Sequence, residues 1–315
     1  MTVIVTGGAG FIGSHTVERL LSKGYNVVVI DNYYSGSLGN LPRGDGRLII
    51  LEKDVSDTGS IIKIASLVRE GDVEAIIHLA AIINIVEVNE NPQRALDVNV
   101  KGTLNILELA RKLGAKRVVF ASSTAVHGEP VYLPVDEDHP LNPANLYGET
   151  KLFSERLMSR YTRDHGLSTV SLRYFNVYGP RMRPGPYAGV VLSFIQALLK
   201  GDTPVIYGTG NQTRDFIYVG DVAEANVRAI ESSYTGPVEI GSGVETSIND
   251  LYWMICRIIG RCPEPRRMPP RPGDVSRSVA SIRLARRVLG WHPSVSLEDG
   301  LQYTVEYYRG KTGNL

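Results

Sequence analysis

The chain has 315 residues, of which 43% are hydrophobic and 21% are charged. These fractions are near the averages for soluble globular proteins, and the length predicts two domains or one large one rather than a disordered, fibrous or disulfide-rich chain. Lysine and arginine number 34 against 33 acidic residues, a formal net charge of +1. That balance argues against nucleic acid or an anionic membrane as a partner and favours small-molecule chemistry.

The N-terminus and the cysteines predict a cytoplasmic protein without a metal site. Met1 leads directly into a strand-like segment, with no basic or apolar leader. The longest apolar segment, 190–199, is shorter than the roughly 20 residues of a membrane span. Cys256 and Cys262 are too few for a zinc site or a disulfide framework, so we expect free thiols in a reducing cytosol.

Short β-branched runs alternate with helical segments through the first half of the chain. Strands are predicted at 3–5, 27–30, 48–51, 75–78, 118–121 and 169–173, and helices at 11–22, 61–69, 92–113 and 146–165. The strands are continuously apolar, so helices must cover both faces of their sheet. This pattern predicts an α/β fold with a doubly wound, Rossmann-like parallel sheet.

The alternation of strands and helices ends near residue 176. Pro/Gly-rich loops then surround single helices, predicted at 189–200 and 248–259. We therefore predict a first domain over 1–175, to which a segment near 215–235 returns. A smaller mixed α/β substrate domain would occupy most of 176–315.

A glycine-rich turn joins the first predicted strand to the first helix. Gly7, Gly10 and Gly13 would let the backbone approach a pyrophosphate, which the helix N-terminus then binds. The next strand ends in Asp31, whose carboxylate would accept hydrogen bonds from the adenosine ribose hydroxyls and repel a 2′-phosphate. No arginine follows until Arg43, so the pattern predicts a site for NAD rather than NADP. The alternative, a purely structural turn, is disfavoured by the acidic residue at that strand end.

Tyr147 and Lys151 lie one helical turn apart on the same face of a predicted helix. The same spacing recurs at Tyr307 and Lys311, but that pair follows no strand and no hydroxyl cluster. Tyr147, in contrast, comes 24 residues after Ser123, which follows a strand at the sheet edge where α/β proteins place their chemistry. Ser123, Tyr147 and Lys151 are therefore the predicted catalytic set.

Further motifs extend along the whole chain. They are Asp54-Val55, His78-Leu79-Ala80-Ala81, Asn99 in Asp-Val-Asn-Val-Lys-Gly-Thr, Arg-Tyr-Phe-Asn-Val-Tyr-Gly-Pro at 173–180, Gly-Thr-Gly-Asn-Gln-Thr-Arg-Asp-Phe at 208–216, Asp221-Val222-Ala223, Arg271-Pro272-Gly273-Asp274 and Leu289-Gly290-Trp291. With the glycine turn and the Ser-Tyr-Lys set, they resemble the extended short-chain dehydrogenases/reductases of the NAD-dependent nucleotide-sugar epimerase/dehydratase family. Within that family the sequence is most similar to the 4-epimerases of UDP-hexoses.

The resemblance implies NAD-dependent inversion at carbon four of a UDP-hexose, through a transient 4-keto sugar. Tyr147 would remove the proton of the 4-hydroxyl, the charge of Lys151 would favour the tyrosinate, and Ser123 would bind the same sugar oxygen. The implied cofactor contacts are Gly7, Gly10, Phe11, Ile12, Gly13, Asp31, Asn32, Asp54, Val55, Leu79, Ala80, Ala81, Asn99, Tyr147 and Lys151. The implied substrate contacts are Ser123, Thr124, Asn176, Arg214, Arg271, Asp274 and Ser278.

The tripeptide Ser123-Thr124-Ala125 favours simple epimerisation. Family dehydratases and decarboxylases carry a glutamate where this chain has Thr124 and Ala125, because they need an acid/base carboxylate there. A dehydratase, a reductase or a uronate 4-epimerase is the alternative within the family. Ser281 and the segment 84–87 depart from the common pattern, which bears on the substrate rather than on the chemistry. A non-catalytic NAD-sensing protein is disfavoured because Tyr147 and Lys151 are both kept.

The sequence supports four further expectations, on His78, an arginine-rich segment, Ser278 and the oligomeric state. His78, at a buried strand end, is predicted to be structural. Nine arginines between residues 257 and 287 could form a nucleic-acid patch, but few aromatics interleave them and a bound UDP-sugar accounts for part of the charge. The small Ser278 would leave room for an N-acetyl group on the sugar. The resemblance also implies a homodimer formed through helices 92–113 and 146–165.

Overall fold

The computed structural model describes residues 1–68, 71–185, 188–270 and 273–312. Its strands are β1 (Thr2–Thr6), β2 (Asn26–Asp31), β3 (Leu48–Glu52), β4 (Val73–His78), β5 (Arg117–Ser123), β6 (Ser168–Tyr174), β7 (Asn176–Tyr178), β8 (Val205–Tyr207), β9 (Thr213–Tyr218), β10 (Gly236–Ile240), β11 (Glu245–Ser247) and β12 (Arg266–Met268). Its α-helices are α1 (Phe11–Ser22), α2 (Thr58–Leu67), α3 (Ile85–Glu90), α4 (Pro92–Leu96), α5 (Gly102–Leu113), α6 (Leu146–His165), α7 (Val190–Lys200), α8 (Val219–Glu231), α9 (Ile248–Ile259), α10 (Arg283–Leu289) and α11 (Leu297–Thr312).

Seven strands form one sheet in the order β10-β6-β5-β4-β1-β2-β3. Every pairing within it is parallel. The order reverses direction between β1 and β4, and such a switch point opens a crevice at the carboxyl ends of the strands, where α/β sheets bind ligands. The predicted doubly wound parallel sheet is therefore confirmed.

Alternate residues of each central strand enter different cores. Val3 and Val5 of β1 pack into a cluster that includes Leu20 of α1 and Val222 of α8. Ile4, between them, packs on the opposite face with residues of α2, α5 and α6. The continuous apolar runs in the sequence thus reflect burial on both faces.

A smaller unit follows β6. It contains a three-stranded sheet in the order β11-β9-β7 and a two-stranded sheet of β8 and β12. Helices α7, α9 and α11 pack around a separate core that includes Phe194, Tyr252 and Leu301. The chain then returns to the large sheet through α8, which packs on α1, and β10, which pairs with β6. Among the described residues, no helix is both long and apolar enough to span a bilayer.

The expectation of two free thiols is wrong. Cys256 and Cys262 form a disulfide, with their Cα atoms 4.9 Å apart. Helix α9 ends at Ile259, and its C-cap Gly260 has a φ of +84°, which reverses the direction of the chain. The N–H groups of Gly260 and Arg261 both donate to the carbonyl of Cys256, so the reversed chain passes beside the last helical turn. The cytosolic location therefore loses the support that free thiols would have given.

Candidate active site

The glycine-rich turn between β1 and α1 leaves no room for side chains. Gly7 has a φ of +68°, and a Cβ placed there would lie 2.8 Å from the backbone nitrogen of Ala80. A Cβ on Gly13 would lie 2.0 Å from the carbonyl oxygen of Gly7. Helix α1 begins after its N-cap Gly10, and within the described part of the chain no side chain caps it. The first N–H groups of α1, at Phe11 and Ile12, are thus available to a pyrophosphate.

Asp31 ends β2 beside this turn. Its two carboxylate oxygens accept hydrogen bonds from the N–H groups of Ala9, at 2.9 Å, and Tyr33, at 2.7 Å. Burial raises the pKa of Asp31, against the opposing effect of these backbone bonds. Each carboxylate oxygen has a further lone pair, so the side chain can still accept ribose hydroxyls. Asp31 therefore both stabilises the backbone of the turn, through Ala9, and remains able to make the predicted contact with the cofactor.

Asn32 and Asp54 form a polar edge next to Asp31. The Asn32 amide donates to Asp54 at 2.7 Å, and the N–H of Ser56 donates to the same carboxylate at 2.8 Å. Burial favours the neutral acid, but these hydrogen bonds outweigh it and lower the pKa of Asp54. The neighbouring Val55 is buried against Gly102, so its side chain belongs to the core.

His78 ends β4 and is almost fully buried. Its Nδ1 lies 2.7 Å from the hydroxyl oxygen of Thr6, and its Nε2 lies 3.2 Å from that of Thr103. Burial lowers the pKa of His78 to about 3, and the positive charge of Lys151 acts in the same direction. A neutral imidazole with both nitrogens engaged supports the predicted structural role.

Asn99 braces the loop that carries Leu79, Ala80 and Ala81. The segment predicted as one helix over 92–113 contains a π-helical turn at Asp97–Lys101, and Asn99 lies in it. The Asn99 amide group accepts from the N–H of Ile82 at 2.8 Å and donates to its carbonyl at 2.9 Å. Inserted π turns of this kind are frequent at functional sites. The result is a fixed loop beside Gly7.

The three predicted catalytic residues converge at the carboxyl end of β5. Ser123 is the last residue of that strand, and its Oγ accepts the N–H of Ala125 at 3.2 Å. Helix α6 carries Tyr147 and Lys151 on successive turns. The Lys151 Nζ donates to the carbonyl of Ala121 at 2.7 Å and lies 5.9 Å from the centroid of the Tyr147 ring.

The electrostatics of this set suit proton transfer. Burial raises the pKa of Tyr147 to about 12, while an interaction with Ser123 opposes the rise. Burial lowers the pKa of Lys151 to about 7, while Glu155 opposes the fall. A buried phenol becomes a base at neutral pH when nearby positive charge stabilises the phenolate. Protonated Lys151 is one such charge, and the nicotinamide of bound NAD would be a second.

Arg214 of β9 is a predicted diphosphate contact, and its guanidinium group is held by two neighbours. Its Nη1 donates to the carbonyl of Thr213 at 2.7 Å, and its Nη2 pairs with the carboxylate of Asp274. The Arg214 side chain is 14% exposed. The pair brings together two residues that are 60 positions apart and that the sequence assigns to substrate binding.

The other predicted substrate residues lie at the end of β5, in β7 and in the segment before α10. Thr124 begins a 3₁₀ turn directly after Ser123. Asn176 begins β7, and its amide donates to the carbonyl of Asp215 at 3.2 Å. Ser278 is 4% exposed. Arg271 lies outside the described residues. Within the described part of the chain, no group of three or more His, Cys, Asp or Glu side chains could hold a metal ion.

The sequence patterns assign no role to Glu155 or Arg173. In the structure the two form a largely buried ion pair between α6 and β6. The Arg173 guanidinium donates to the Glu155 carboxylate at 2.9 Å from Nε and 2.8 Å from Nη2. Ser122 donates to the same carboxylate at 2.5 Å. The available signal was a single charged residue, Arg173, in a predicted central strand, because a buried charge requires a partner.

The family profile described as "NAD dependent epimerase/dehydratase family" matches residues 3–241, which is most of the chain. The chain belongs to the NAD-dependent epimerase/dehydratase family. Its cofactor is accordingly NAD, and the glycine turn, the uncapped helix and Asp31 fit that group.

Curated members of the family match over nearly the full length. The putative UDP-glucose 4-epimerase of Methanocaldococcus jannaschii is 44% identical over 98% of this chain and 98% of that protein. The UDP-glucose 4-epimerase of Mycolicibacterium smegmatis is 40% identical over 99% of this chain and 100% of that protein. UDP-glucuronic acid decarboxylase 6 of Arabidopsis thaliana is 36% identical over 99% of this chain and 90% of that protein. Identity alone therefore does not separate epimerases from decarboxylases.

Solved structures of the family superpose closely. UDP-glucose 4-epimerase of Thermotoga maritima, with UDP-glucose, has a TM-score of 0.94 and 39% identity, covering 99% of this chain and 100% of that one. The UDP-glucose 4-epimerase of Thermus thermophilus, in complex with NAD, has a TM-score of 0.89 and 37% identity, covering 98% and 99%. UDP-N-acetylglucosamine 4-epimerase of Methanobrevibacter ruminantium, in complex with UDP-N-acetylmuramic acid, has a TM-score of 0.93 and 34% identity, covering 98% of each chain.

Proposed function

We propose that this protein is a UDP-hexose 4-epimerase that interconverts UDP-glucose and UDP-galactose. The observation that carries the proposal is the convergence of Ser123, Tyr147 and Lys151 at the carboxyl end of β5, where Thr124 and Ala125 supply no carboxylate. The two 4-epimerases of 40% and 44% identity support the same assignment.

The glycine turn and Asp31 would hold the cofactor, and bound NAD supplies hydride acceptance and return at carbon four of the sugar. Tyr147 takes the proton of the 4-hydroxyl and later gives it back. The Lys151 charge stabilises the phenolate in between, and the Ser123 hydroxyl hydrogen-bonds the same sugar oxygen. Because the hydride leaves one face of carbon four and returns to the other, the configuration is inverted and no net redox change remains.

The nucleotide end would bind in the small unit. A guanidinium fork suits the paired oxygens of a diphosphate, and Arg214 presents one within a mostly buried setting. Its partner Asp274 holds the fork in place before the substrate arrives. Arg271 and Asn176 are proposed as the further contacts.

Epimerisation and decarboxylation differ at one position after Ser123. A decarboxylase or dehydratase of the family needs an acid/base carboxylate near the keto sugar. Ala125 cannot provide one, and its carbonyl faces Gly148, where a Cβ would lie 2.5 Å away. Among alternatives, a uronate 4-epimerase shares the same catalytic set and differs in the acid group of its substrate.

The test is incubation of the NAD-loaded protein with UDP-galactose, UDP-glucuronate and UDP-xylose separately, followed by proton NMR. We expect UDP-galactose to convert to UDP-glucose until both are present at equilibrium. Exclusive conversion of UDP-glucuronate to its 4-epimer would make the protein a uronate epimerase. Release of carbon dioxide from UDP-glucuronate, or loss of water from any substrate, would overturn the proposal.

A further inference from the structure

A set of buried charged side chains connects the catalytic helix α6 to β6 and β10. Beyond its pair with Glu155, Arg173 donates through Nη1 to Glu239 of β10 at 3.0 Å. Glu239 in turn lies 2.9 Å from Nε2 of His127. The side chains of Arg173 and Glu239 are 2% and 0% exposed, so water screens their charges little. We call Glu155, Arg173, Glu239 and His127 the buried ion network.

The buried ion network holds more carboxylates than guanidinium groups. Two carboxylates, Glu155 and Glu239, share the guanidinium of Arg173. His127 lies against one oxygen of Glu239 through Nε2. Within the described residues, the other oxygen of Glu239 and Nδ1 of His127 have no hydrogen-bond partner. A cation near Glu155 would therefore share a carboxylate that Arg173 alone does not fully compensate.

Lys151 is in position to be that cation. It precedes Glu155 by one turn on the same face of α6. Lys151 donates to the carbonyl of Ala121 at 2.7 Å, and Glu155 accepts from Ser122 at 2.5 Å, so both reach adjacent residues of β5. The Lys151 side chain is buried, which removes the solvent that would otherwise stabilise its charge.

The other groups around Lys151 and the network supply no equal counter-charge. The Lys151 Nζ lies 4.9 Å from the centroid of the Phe120 ring and 5.9 Å from that of Tyr147. His78 is also close to Lys151, but its imidazole is neutral. At the far end, Glu137 accepts the backbone N–H of Glu239 at 2.9 Å, and burial raises the pKa of Glu137. Within the described residues, Glu155 is the carboxylate that stabilises the charge of Lys151.

We propose that Glu155 is a positioning residue for catalysis: held by Arg173 and Ser122, its carboxylate keeps Lys151 protonated beside Tyr147. The pKa of Lys151 is about 7 with Glu155 in place, so loss of that carboxylate would leave a largely neutral amine at neutral pH. A neutral Lys151 no longer favours the tyrosinate. The inference rests on the proposed proton transfer by Tyr147, but not on the identity of the sugar.

The test is the titration of the Lys151 amine in the NAD-loaded protein. It is followed through the chemical shift of the lysine ε-carbon in ¹³C-lysine-labelled protein, with the Lys151 signal assigned by its absence from Lys151→Met. Glu155→Gln removes the charge and keeps the size, and we expect it to lower the pKa of Lys151 by about one unit. The turnover number at pH 7 should then fall about fivefold, with KM changed less than about twofold.

The turnover number separates this mechanism from a direct effect of the carboxylate on Tyr147. Removing a nearby carboxylate would by itself favour the tyrosinate, because the anion repels the phenolate. A fall in turnover together with a lower pKa of Lys151 therefore reports the lost charge of Lys151. An unchanged or raised pKa of Lys151 in Glu155→Gln overturns the proposal.

Three further variants complete the design. Glu149→Gln makes the same charge change in the exposed first turn of α6 and should leave the titration unchanged. Glu155→Asp retains the charge and should titrate like the parent even if its Tm is lower, whereas a purely structural role predicts that Asp fails as Gln does. If Glu155→Gln does not fold, Glu239→Gln should lower the pKa of Lys151 by a smaller amount, and no fall there refutes the proposal. A correct shift without turnover of UDP-galactose would count against the proposed function alone.

Discussion

Tyr147 and Tyr307 each lie four residues before a lysine, but their surroundings differ. Tyr147 lies beside Ser123 at the end of β5, whereas the Tyr307 ring stacks with the Lys311 Nζ, 4.6 Å from its centroid, near the end of α11. We expect Tyr147→Phe to reduce epimerisation of UDP-galactose at least about 100-fold while NAD stays bound. Tyr307→Phe is the matched control and should retain parental turnover. Near-normal activity of Tyr147→Phe would remove its assignment as the base.

Asp31 makes a second prediction at the scale of one residue. Asp31→Ala removes the acceptor for the ribose hydroxyls and leaves the N–H groups of Ala9 and Tyr33 without their partner. We expect the Kd of NAD to rise at least about tenfold and the preference for NAD over NADP to shrink. Isothermal titration with both dinucleotides measures this, and Asp45→Ala, an exposed carboxylate paired with Arg47, is the control. Tighter binding of NADP by the parent protein would contradict the prediction.

Ser278 is the predicted limit on the substituent at carbon two of the sugar. Its neighbour Arg277 pairs with Glu245 at 2.6 Å, which fixes the end of that long side chain. We expect the parent protein to epimerise UDP-N-acetylgalactosamine as well as UDP-galactose, and Ser278→Tyr to retain only the second activity. Steady-state rates on the two sugars provide the measurement. A parent protein that ignores the acetylated sugar, or a Ser278→Tyr variant that still accepts it, would exclude Ser278 as the gate.

The residues proposed to touch a ligand lie in short local patterns of the sequence, whereas the residues that support them do not. Gly7 and Asp31 lie at strand ends, and Tyr147 lies four residues before Lys151 on one helix. Glu155 looks like one more polar residue on a helix surface. Its partner Arg173 comes from β6, and the second partner of Arg173, Glu239, comes from β10. Such a pairing depends on the order of strands in the sheet.

At the scale of elements, long and strongly patterned segments were predictable. The structure places α1, α6 and α9 within the bounds that periodicity and caps indicate, and β1 to β6 within two residues of theirs. Helix α2 begins at Thr58 rather than 61, and its predicted end at residue 69 lies outside the described part. Strand β10 was missed because it starts with Gly236 and Pro237, which usually interrupt strands.

The disulfide supplies a prediction about one element. It ties the end of α9 to the segment that leads into β12, and a closed loop of this size contributes about 2 kcal/mol by restricting the unfolded chain. We expect Cys262→Ser to lower the Tm under non-reducing conditions. A reducing agent should lower the Tm of the parent to the same value and leave that of the variant unchanged. Equal Tm values for the parent with and without reductant would show that the bond contributes nothing.

At the scale of the whole molecule, large apolar side chains are exposed on the helices that the family resemblance assigns to a dimer. Leu96 of α4, Leu104 of α5 and Phe153 of α6 are 41%, 39% and 49% exposed. We expect a homodimer by size-exclusion chromatography with light scattering, and a monomer for Phe153→Glu, because a charge is costly to bury in such an interface. Val244→Glu, on a loop that is 61% exposed at this residue, should stay dimeric. A monomeric parent would refute the prediction.

The path of the chain between the two units limits how the protein can be divided. Tyr218 ends β9 of the small sheet and is also the N-cap of α8, which covers the large sheet, so no linker separates the units there. A fragment ending at residue 175 would lose β10, exposing the edge of β6, and would lose the cover that α8 gives to α1. Exchanging sugar specificity between relatives by recombination therefore requires three crossover points, one after β6, one between β9 and α8 and one after β10, so that the stretch from α8 to β10 comes from the parent that donates the large sheet.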